Sequence, residues 1–121
     1  IPDFMVERSE KVSEQQRDTF LRAMKKGVRI ALGTDAGSPN FGPQPSAFRE
    51  MLYMNEYGMP KEDVIASCTL TAAQVLGIDN EIGSLEIGKQ ADLLLLGENP
   101  YENLRAFTDS LVAVYKGGEK A

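Results

Sequence analysis

Asp35 is the residue of this sequence whose type and position most suggest chemistry. It lies in the stretch GVRIALGTDAGSPN, residues 27–40, directly after an apolar run and before two small residues. An aspartate after a strand is commonly a turn former or a helix cap, and this interpretation stays open. However, functional sites of α/β folds gather at the carboxyl ends of parallel strands. A carboxylate in such a place could bind a metal ion or accept a proton.

Asp35 has no evident partners for metal chemistry in the sequence pattern. A catalytic zinc site uses about three protein ligands, most of them histidines, whereas this chain contains 0 His. Glu50, Glu56 and Asp92 are carboxylates, but none of them is at ligand spacing from Asp35. The residue types by themselves therefore predict no complete metal site.

The elements that must position Asp35 are predicted from the hydrophobic pattern. Residues 12–26 form a predicted helix, with Ser13 and Gln16 as a capping box and Gly27 as its stop. Residues 28–32 are then a short apolar strand, and residues 33–45, with three Gly and three Pro, are a loop. The order of helix, buried strand and loop is typical of the parallel sheet of an α/β protein.

Further helices are predicted after this loop. Ser46 would cap the first of them, and Pro60 suits the first turn of the next. Thr69 or Thr71 would interrupt and recap that helix before it closes at Gly77.

From residue 78 the pattern becomes that of a β-rich segment. The stretch EIGSLEIGKQADLLLLG predicts two strands around a turn at Gly88 and Lys89, the second apolar on both faces. The stretch LVAVYK predicts a final strand. We therefore predict one unit at residues 1–77 and a second, of β-strands, at residues 78–121.

Composition excludes several classes of partner. The formal charge is −5 and the 13 basic residues are scattered, which argues against a nucleic-acid-binding surface. No run approaches the roughly 20 apolar residues that cross a bilayer, and the 1 Cys excludes an internal disulfide. The sequence begins at Ile1 without a leader pattern or an initiator Met. We expect a cytoplasmic protein, cut from a longer one, with no nucleic-acid and no membrane partner.

Four stretches, taken in order, resemble the C-terminal end of metal-dependent amidohydrolases: GVRIALGTDAG, EYGMPKEDVIASCTLTAAQVLGID, IGSLEIGKQADLLLLGENP and VYKGG. Within that family the sequence is most similar to the imidazolonepropionase-like and Xaa-Pro-dipeptidase (prolidase)-like branch. The resemblance implies an α/β fold that is the last piece of a (β/α)8 barrel, with residues 28–32 as the eighth strand and residues 46–77 as the helices after it. The strands from residue 80 onwards would join a small composite β-sandwich.

The resemblance also implies a role for Asp35, which matches the aspartate of the family's last barrel strand. In such enzymes this aspartate contacts zinc or another divalent metal and accepts a proton from the attacking water. The other metal ligands of the family precede anything in this chain, so we expect the segment by itself to bind no metal and to be inactive. The parent would hydrolyse an amide bond, such as that of a dipeptide, or a cyclic amidine. Gly37, Ser38 and Asn40 are candidate residues of the substrate loop.

Other conspicuous residues are predicted to be structural. Cys68 lies in a predicted amphipathic helix without a histidine to activate it, so we expect a small buried side chain. Met51, Met54 and Met59 are predicted to pack against barrel or partner surfaces. Asp92 is expected to fix a turn by accepting backbone N–H bonds.

Two other functions stay open. The chain could be a binding module that buries its apolar faces by self-association or domain swapping. It could also be a small phosphate-binding protein with GTDAGSPNFG as an anion loop, although this stretch lacks the lysine and the spacing of a P-loop. We expect either a homo-oligomer or packing against the missing part of a barrel.

Overall fold

Five helices and one small sheet are found in residues 2–35 and 47–121, the parts of the chain that the computed structural model describes. The helices are α1 (Asp3–Lys25), α2 (Ala47–Glu56), α3 (Lys61–Cys68), α4 (Leu70–Leu76) and α5 (Ala106–Asp109). The strands are β1 (Leu93–Leu96), β2 (Leu111–Lys116) and β3 (Glu119–Lys120). The order agrees with the predicted change from helices to strands after residue 77, while the division into two domains stays a prediction.

Helix α1 begins much earlier than the pattern predicted, at Asp3 instead of residue 12. Ser13 is therefore no cap: it lies inside the helix, and its Oγ donates to the carbonyl of Ser9 at 3.0 Å. The residues before Ser13 include good helix formers, and Asp3 lies at the positive end of the helix dipole. The predicted stop is confirmed, since Gly27 follows the helix with a φ of 70°. Within the described ranges no helix is long and apolar enough to span a membrane.

Residues 28–32 form neither a helix nor a strand in this structure, so the strand predicted there is not formed within the described chain. A strand needs a neighbour to complete its ladder of hydrogen bonds, and the described sheet contains no neighbour for this segment. The segment is nevertheless tied to the helices. The N–H of Leu32 donates to the carbonyl of Ser67 at 2.9 Å, and the side chains of Ile30 and Leu32 pack against the core.

Helices α3 and α4 follow each other with a single break. Pro60 precedes α3 as its N-cap residue, and Gly77 ends α4 in the left-handed conformation, as predicted. Thr69 interrupts the helices, with φ −122° and ψ −99°, but its hydroxyl donates back to the carbonyl of Ile65 at 2.7 Å and caps nothing. The predicted cap of α2, Ser46, lies outside the described residues.

The three strands form one antiparallel sheet in the order β1-β2-β3. Strand β1 is the predicted apolar strand, and β2 is the predicted final strand. The strand predicted before Gly88 is wrong, because that stretch folds into turns. Its polar side chains bond within the stretch: the Lys89 Nζ lies 2.6 Å from the Ser84 Oγ and 2.8 Å from a Glu86 carboxylate oxygen.

The hydrophobic core lies between the helices and the segment before β2. Its buried members are Met51, Met54, Met59, Val64 and Leu104. The three methionines, which were predicted to pack against barrel or partner surfaces, pack with the other core residues of this chain. Residues of α1 and of the segment with Asp35 join the edge of this cluster: Phe20, Met24, Ile30 and Leu32.

Candidate functional site

Asp35 is exposed and is the last described residue before residues 36–46. Its φ is 49°, and it is the non-glycine residue with positive φ among those that the structure describes. Aspartate tolerates this left-handed conformation better than most residues do. Backbone conformations of this kind are concentrated at functional sites and at turns, so the conformation agrees with both interpretations of Asp35.

The position of Asp35 depends on the core beneath it. Leu32, three residues earlier, is the last residue of this segment that packs against the core, and its backbone bonds to Ser67. Ser67 is only 1% exposed, and its Oγ donates to the carbonyl of Val64 at 2.6 Å. At an exposed position, the Arg29 guanidinium donates to Oε1 of Gln74 in α4 at 2.9 Å. Asp35 thus follows a segment that is held by a backbone bond, a side-chain bond and two apolar contacts.

The described residues do not form a metal site. No group of three or more His, Cys, Asp and Glu side chains lies close enough together in residues 2–35 and 47–121 to hold a metal ion, and the sequence has 0 His. Glu50 is half-buried, and burial raises the pKa of its carboxyl group, but neither it nor Glu56 belongs to a ligand cluster with Asp35. Asp35 could supply one ligand at most, so a catalytic metal does not fit this donor set.

The three substrate-loop candidates, Gly37, Ser38 and Asn40, lie outside the described residues. Their proximity to Asp35 in space therefore stays a prediction.

A cleft of about 620 Å³ is a feature that the sequence did not reveal. It lies between the end of α1, the start of α3 and residues 27–30, and Asp35 is not part of its lining. Lys25, Arg29 and Asp63 are the charged residues of its wall. They come from three separate stretches of the chain, so no local pattern could have brought them together.

Cys68 and Asp92 behave as structural residues. Cys68 is half-buried, with its Sγ 3.2 Å from the carbonyl oxygen of Ile65, and burial raises the pKa of its thiol. Asp92 accepts the backbone N–H of Gly117 at 2.8 Å, as expected, although that N–H belongs to the β2–β3 turn. Lys116 donates to the other carboxylate oxygen of Asp92 at 2.6 Å, and this bond lowers the pKa of Asp92.

Comparison with known proteins identifies relatives over the whole chain. The sequence profile of the amidohydrolase family matches residues 1–120. A crystal structure of a Xaa-Pro dipeptidase with methionine bound in the active site superposes with a TM-score of 0.82 at 37% identity, covering 100% of this chain and 29% of that one. The imidazolonepropionase of Bdellovibrio bacteriovorus is 38% identical over 73 residues, which are 60% of this chain and 17% of that protein. The ochratoxinase of Aspergillus niger is 30% identical over 111 residues, 89% of this chain and 22% of that protein.

The chain spans less than a third of the length of each of these proteins. The resemblance drawn from the four sequence stretches is confirmed by these matches.

Proposed function

Since the chain belongs to the amidohydrolase family, we propose that it is the C-terminal segment of a hydrolase that cleaves a C–N bond of a small molecule, first of all the amide bond of a dipeptide. The observation that carries this choice is the superposition of 100% of the chain on a Xaa-Pro dipeptidase at 37% identity. The match to the imidazolonepropionase is equally similar in sequence but covers 60% of the chain.

We propose further that residues 28–32 are the last strand of a (β/α)8 barrel and that residues 78–121 contribute to a composite β-sandwich. Two features support this. Ile30 and Leu32 pack against helices as the outward side chains of a barrel strand do, while the backbone of the segment has no strand beside it in the described chain. In the sheet, Leu94 and Leu95 point to opposite faces, yet they are 47% and 50% exposed. These exposures are expected for a sheet that has no covering layer on either face in the described chain.

Asp35 is proposed as the residue that takes a proton from the attacking water and returns it to the leaving nitrogen. Its support is its place after a core-anchored segment, with the carboxylate exposed. A carboxylate in contact with the nucleophile can perform both transfers in turn. It is also the proposed metal ligand of this chain, but the remaining ligands have to come from residues outside residues 1–121. By this reasoning the 121-residue chain has no hydrolase activity of its own.

The test uses both the short chain and the full polypeptide encoded by the gene from which it comes. The purified chain should neither bind zinc stoichiometrically in equilibrium dialysis nor hydrolyse dipeptides. In the full polypeptide, Asp35→Asn should lower kcat by about 10² to 10⁴, the usual contribution of a general base. Glu56→Gln is the matched control, because Glu56 is an exposed carboxylate at the end of α2, and its activity should be unchanged.

Two outcomes would refute the proposal. One is full activity of the Asp35→Asn enzyme beside a normal Glu56→Gln control. The other is a 121-residue chain that binds zinc, turns over dipeptides and loses both properties in Asp35→Ala.

A second candidate reaction is hydrolysis of a cyclic amidine, favoured by the 38% identity to the imidazolonepropionase. A panel of proline-containing dipeptides and an imidazolone substrate, measured with the full polypeptide, distinguishes the two. The non-enzymatic alternative, self-association, is favoured by exposed side chains such as Leu85 and Ile87, which are 81% and 108% exposed. Light scattering of the short chain tests it, because a well-folded monomer that binds no hydrophobic dye would exclude it.

A further inference from the structure

Strand β1 has a single neighbour within the described residues, so one of its edges is open. The sheet has the order β1-β2-β3, which leaves β1 and β3 at its two ends. Strand β3 has 2 residues, Glu119 and Lys120, and short charged strands are a common protection against further pairing. Strand β1 consists of leucines, with neither a charge nor a proline, so its edge lacks these protections. The edge of β1 is therefore the one suited to a further strand.

The hydrogen bonds of the sheet show which backbone groups of β1 face the open edge. The N–H of Ala121 donates to the carbonyl of Val114 at 2.9 Å, so the backbone groups of Val114 face β3. Residues directly opposite each other in an antiparallel ladder alternate between bonded and non-bonded pairs. Leu94 is the residue of β1 opposite Val114, and this pair is a non-bonded one because Val114 faces β3. The N–H and C=O of Leu94 therefore point away from β2.

The backbone groups of Leu96 face the same open edge. The register shift after Leu95 skips a residue of β2 and none of β1, so the alternation within β1 continues. Gly97 agrees with this, because its N–H donates to the carbonyl of Ser110, directly before β2, at 2.7 Å. Each residue has one backbone donor and one acceptor. Leu94 and Leu96 together thus present both kinds of group, in alternation, to a strand that would lie beside β1.

The side chains of β1 also lack cover. Leu94 and Leu95 are about half exposed on opposite faces of the sheet, and Val114, beside Leu94, is exposed as well. A strand added at the open edge would remove part of this apolar surface from water on both faces, at about 25 cal/mol for each Å². Its side chains should be apolar on both faces, since consecutive leucines are typical of a strand in the interior of a covered sheet.

Two observations favour an occupant from the same polypeptide over a second copy of this chain. The chain covers 29% of the Xaa-Pro dipeptidase that it superposes on, so most of a polypeptide of that length lies outside the matching segment. In a second copy, the antiparallel register that bonds Leu94 and Leu96 of both chains would centre on Leu95. It would place Asp92 opposite Glu98 of the second copy at both ends, and like charges directly opposite destabilise a sheet.

We propose that the open edge of β1 pairs with a β-strand of the parent polypeptide from outside residues 1–121, through the backbone groups of Leu94 and Leu96. This inference rests on the proposed function in one respect, which is that the chain is a segment of a longer hydrolase. It adds the place at which the two parts of the sheet join and the alternate residues that form the joint.

The experiment is residue-resolved hydrogen exchange of the full polypeptide. The amides of Leu94 and Leu96 should exchange at least about a hundredfold more slowly than those of an unfolded peptide. Leu93 and Leu95 are internal controls, because their backbone groups face β2 and are bonded in either case. An alternating pattern, with Leu94 and Leu96 fast beside slow Leu93 and Leu95, would show an open edge and overturn the proposal.

A pair of variants tests the same N–H independently. Leu94→Ala removes most of the side chain and keeps the backbone donor, whereas Leu94→Pro removes the donor as well. In the full polypeptide, Leu94→Pro should melt at least about 2 °C below Leu94→Ala, since it also loses a ladder bond. Equal melting temperatures would mean that this N–H faces water, because proline is tolerated at such edge positions. If Leu94→Pro does not fold, exchange in the wild-type polypeptide decides.

Light scattering of the same samples distinguishes the two sources of a strand. If the slow exchange of Leu94 and Leu96 disappears when the full polypeptide is diluted to a monomer, the occupant is a second copy and the proposal is overturned. Failure here is distinguishable from failure of the proposed function. An enzyme that depends on Asp35 but has an open β1 edge contradicts only this inference, and a paired edge in a polypeptide without hydrolase activity contradicts only the proposed reaction.

Discussion

Met54→Ala is a core substitution whose effect on the free energy of unfolding can be worked out from the structure. Met54 is 5% exposed, lies in the buried cluster and accepts a contact from the Ser67 Oγ to its Sδ at 3.9 Å. The change removes three buried heavy atoms beyond Cβ, about 2.4 kcal/mol of transfer free energy at about 0.8 kcal/mol for each group. The cavity that remains adds to this loss, so we expect a total of about 3 kcal/mol.

Urea denaturation followed by circular dichroism measures this loss. A small domain has an m-value of about 1–3 kcal/mol/M, so a loss of about 3 kcal/mol should lower the midpoint by about 1–3 M with m unchanged. Such a loss is a large fraction of the total stability of a small domain, about 5–15 kcal/mol.

Two methionine variants serve as controls. Met5→Ala makes the same chemical change at a residue that is 51% exposed, and its free energy of unfolding should stay within about 0.5 kcal/mol of the wild type. Met54→Leu keeps most of the volume and should cost less than about 1.5 kcal/mol. If Met54→Ala and Met5→Ala unfold at the same urea concentration, the buried cluster is not the core of this chain.

Three further predictions concern the glycine turn, the sheet and the thiol. Gly83→Ala should lower the free energy of unfolding by more than Gly88→Ala does, as measured by urea titration. Both glycines have positive φ, so both substitutions strain the backbone. A Cβ at Gly83 would in addition lie 2.7 Å from the Ala73 Cβ, whereas a Cβ at Gly88 would contact nothing. The pKa of Asp92 is lowered in the folded state, so its ionised carboxylate stabilises the fold at pH values above the ordinary aspartate pKa, about 3.9, and this contribution disappears as the pH falls through the folded pKa. The melting temperature of Asp92→Asn should therefore fall less on acidification than that of the wild type. An equal fall in both proteins would contradict the ion pair. Because burial raises the pKa of the Cys68 thiol, iodoacetamide should modify the folded chain slowly and the urea-unfolded chain at an ordinary rate, whereas equal rates would place the thiol in solvent.

Elements with strong local signals agree with their predictions. The glycines that end α1 and α4 have the positive φ that a left-handed helix end requires, and only glycine adopts it without strain. Strand β1 was predicted because four consecutive leucines suit a strand that is covered on both faces.

The three failures have different physical causes. Residues 28–32 have the composition of a buried strand, but a strand forms through a neighbour, and local sequence does not report whether one is present. The stretch before Gly88 alternates like a strand, but the contacts of Lys89 with Ser84 and Glu86 close it into turns. The early start of α1 was missed because helix propensity, not apolar periodicity, extends its first turns.

The candidate site could be predicted only in part. Asp35 could be selected from the sequence because it directly follows an apolar run. Its anchor could not, because the bond from the Leu32 N–H to the Ser67 carbonyl joins residues far apart in sequence. Lys25, Arg29 and Asp63, which line the same cleft, come from three separate stretches of the chain, and no local pattern joins them.

The exposed aliphatic side chains of the sheet and of the turns before it have a consequence for the lifetime of this chain in a cell. Leu85, Ile87, Leu94 and Leu95 present to water the kind of surface by which chaperones and proteases distinguish damaged polypeptides from finished ones. Expressed without a covering partner, the chain should be degraded quickly however well its helices pack, so its abundance would be governed by quality control instead of by synthesis.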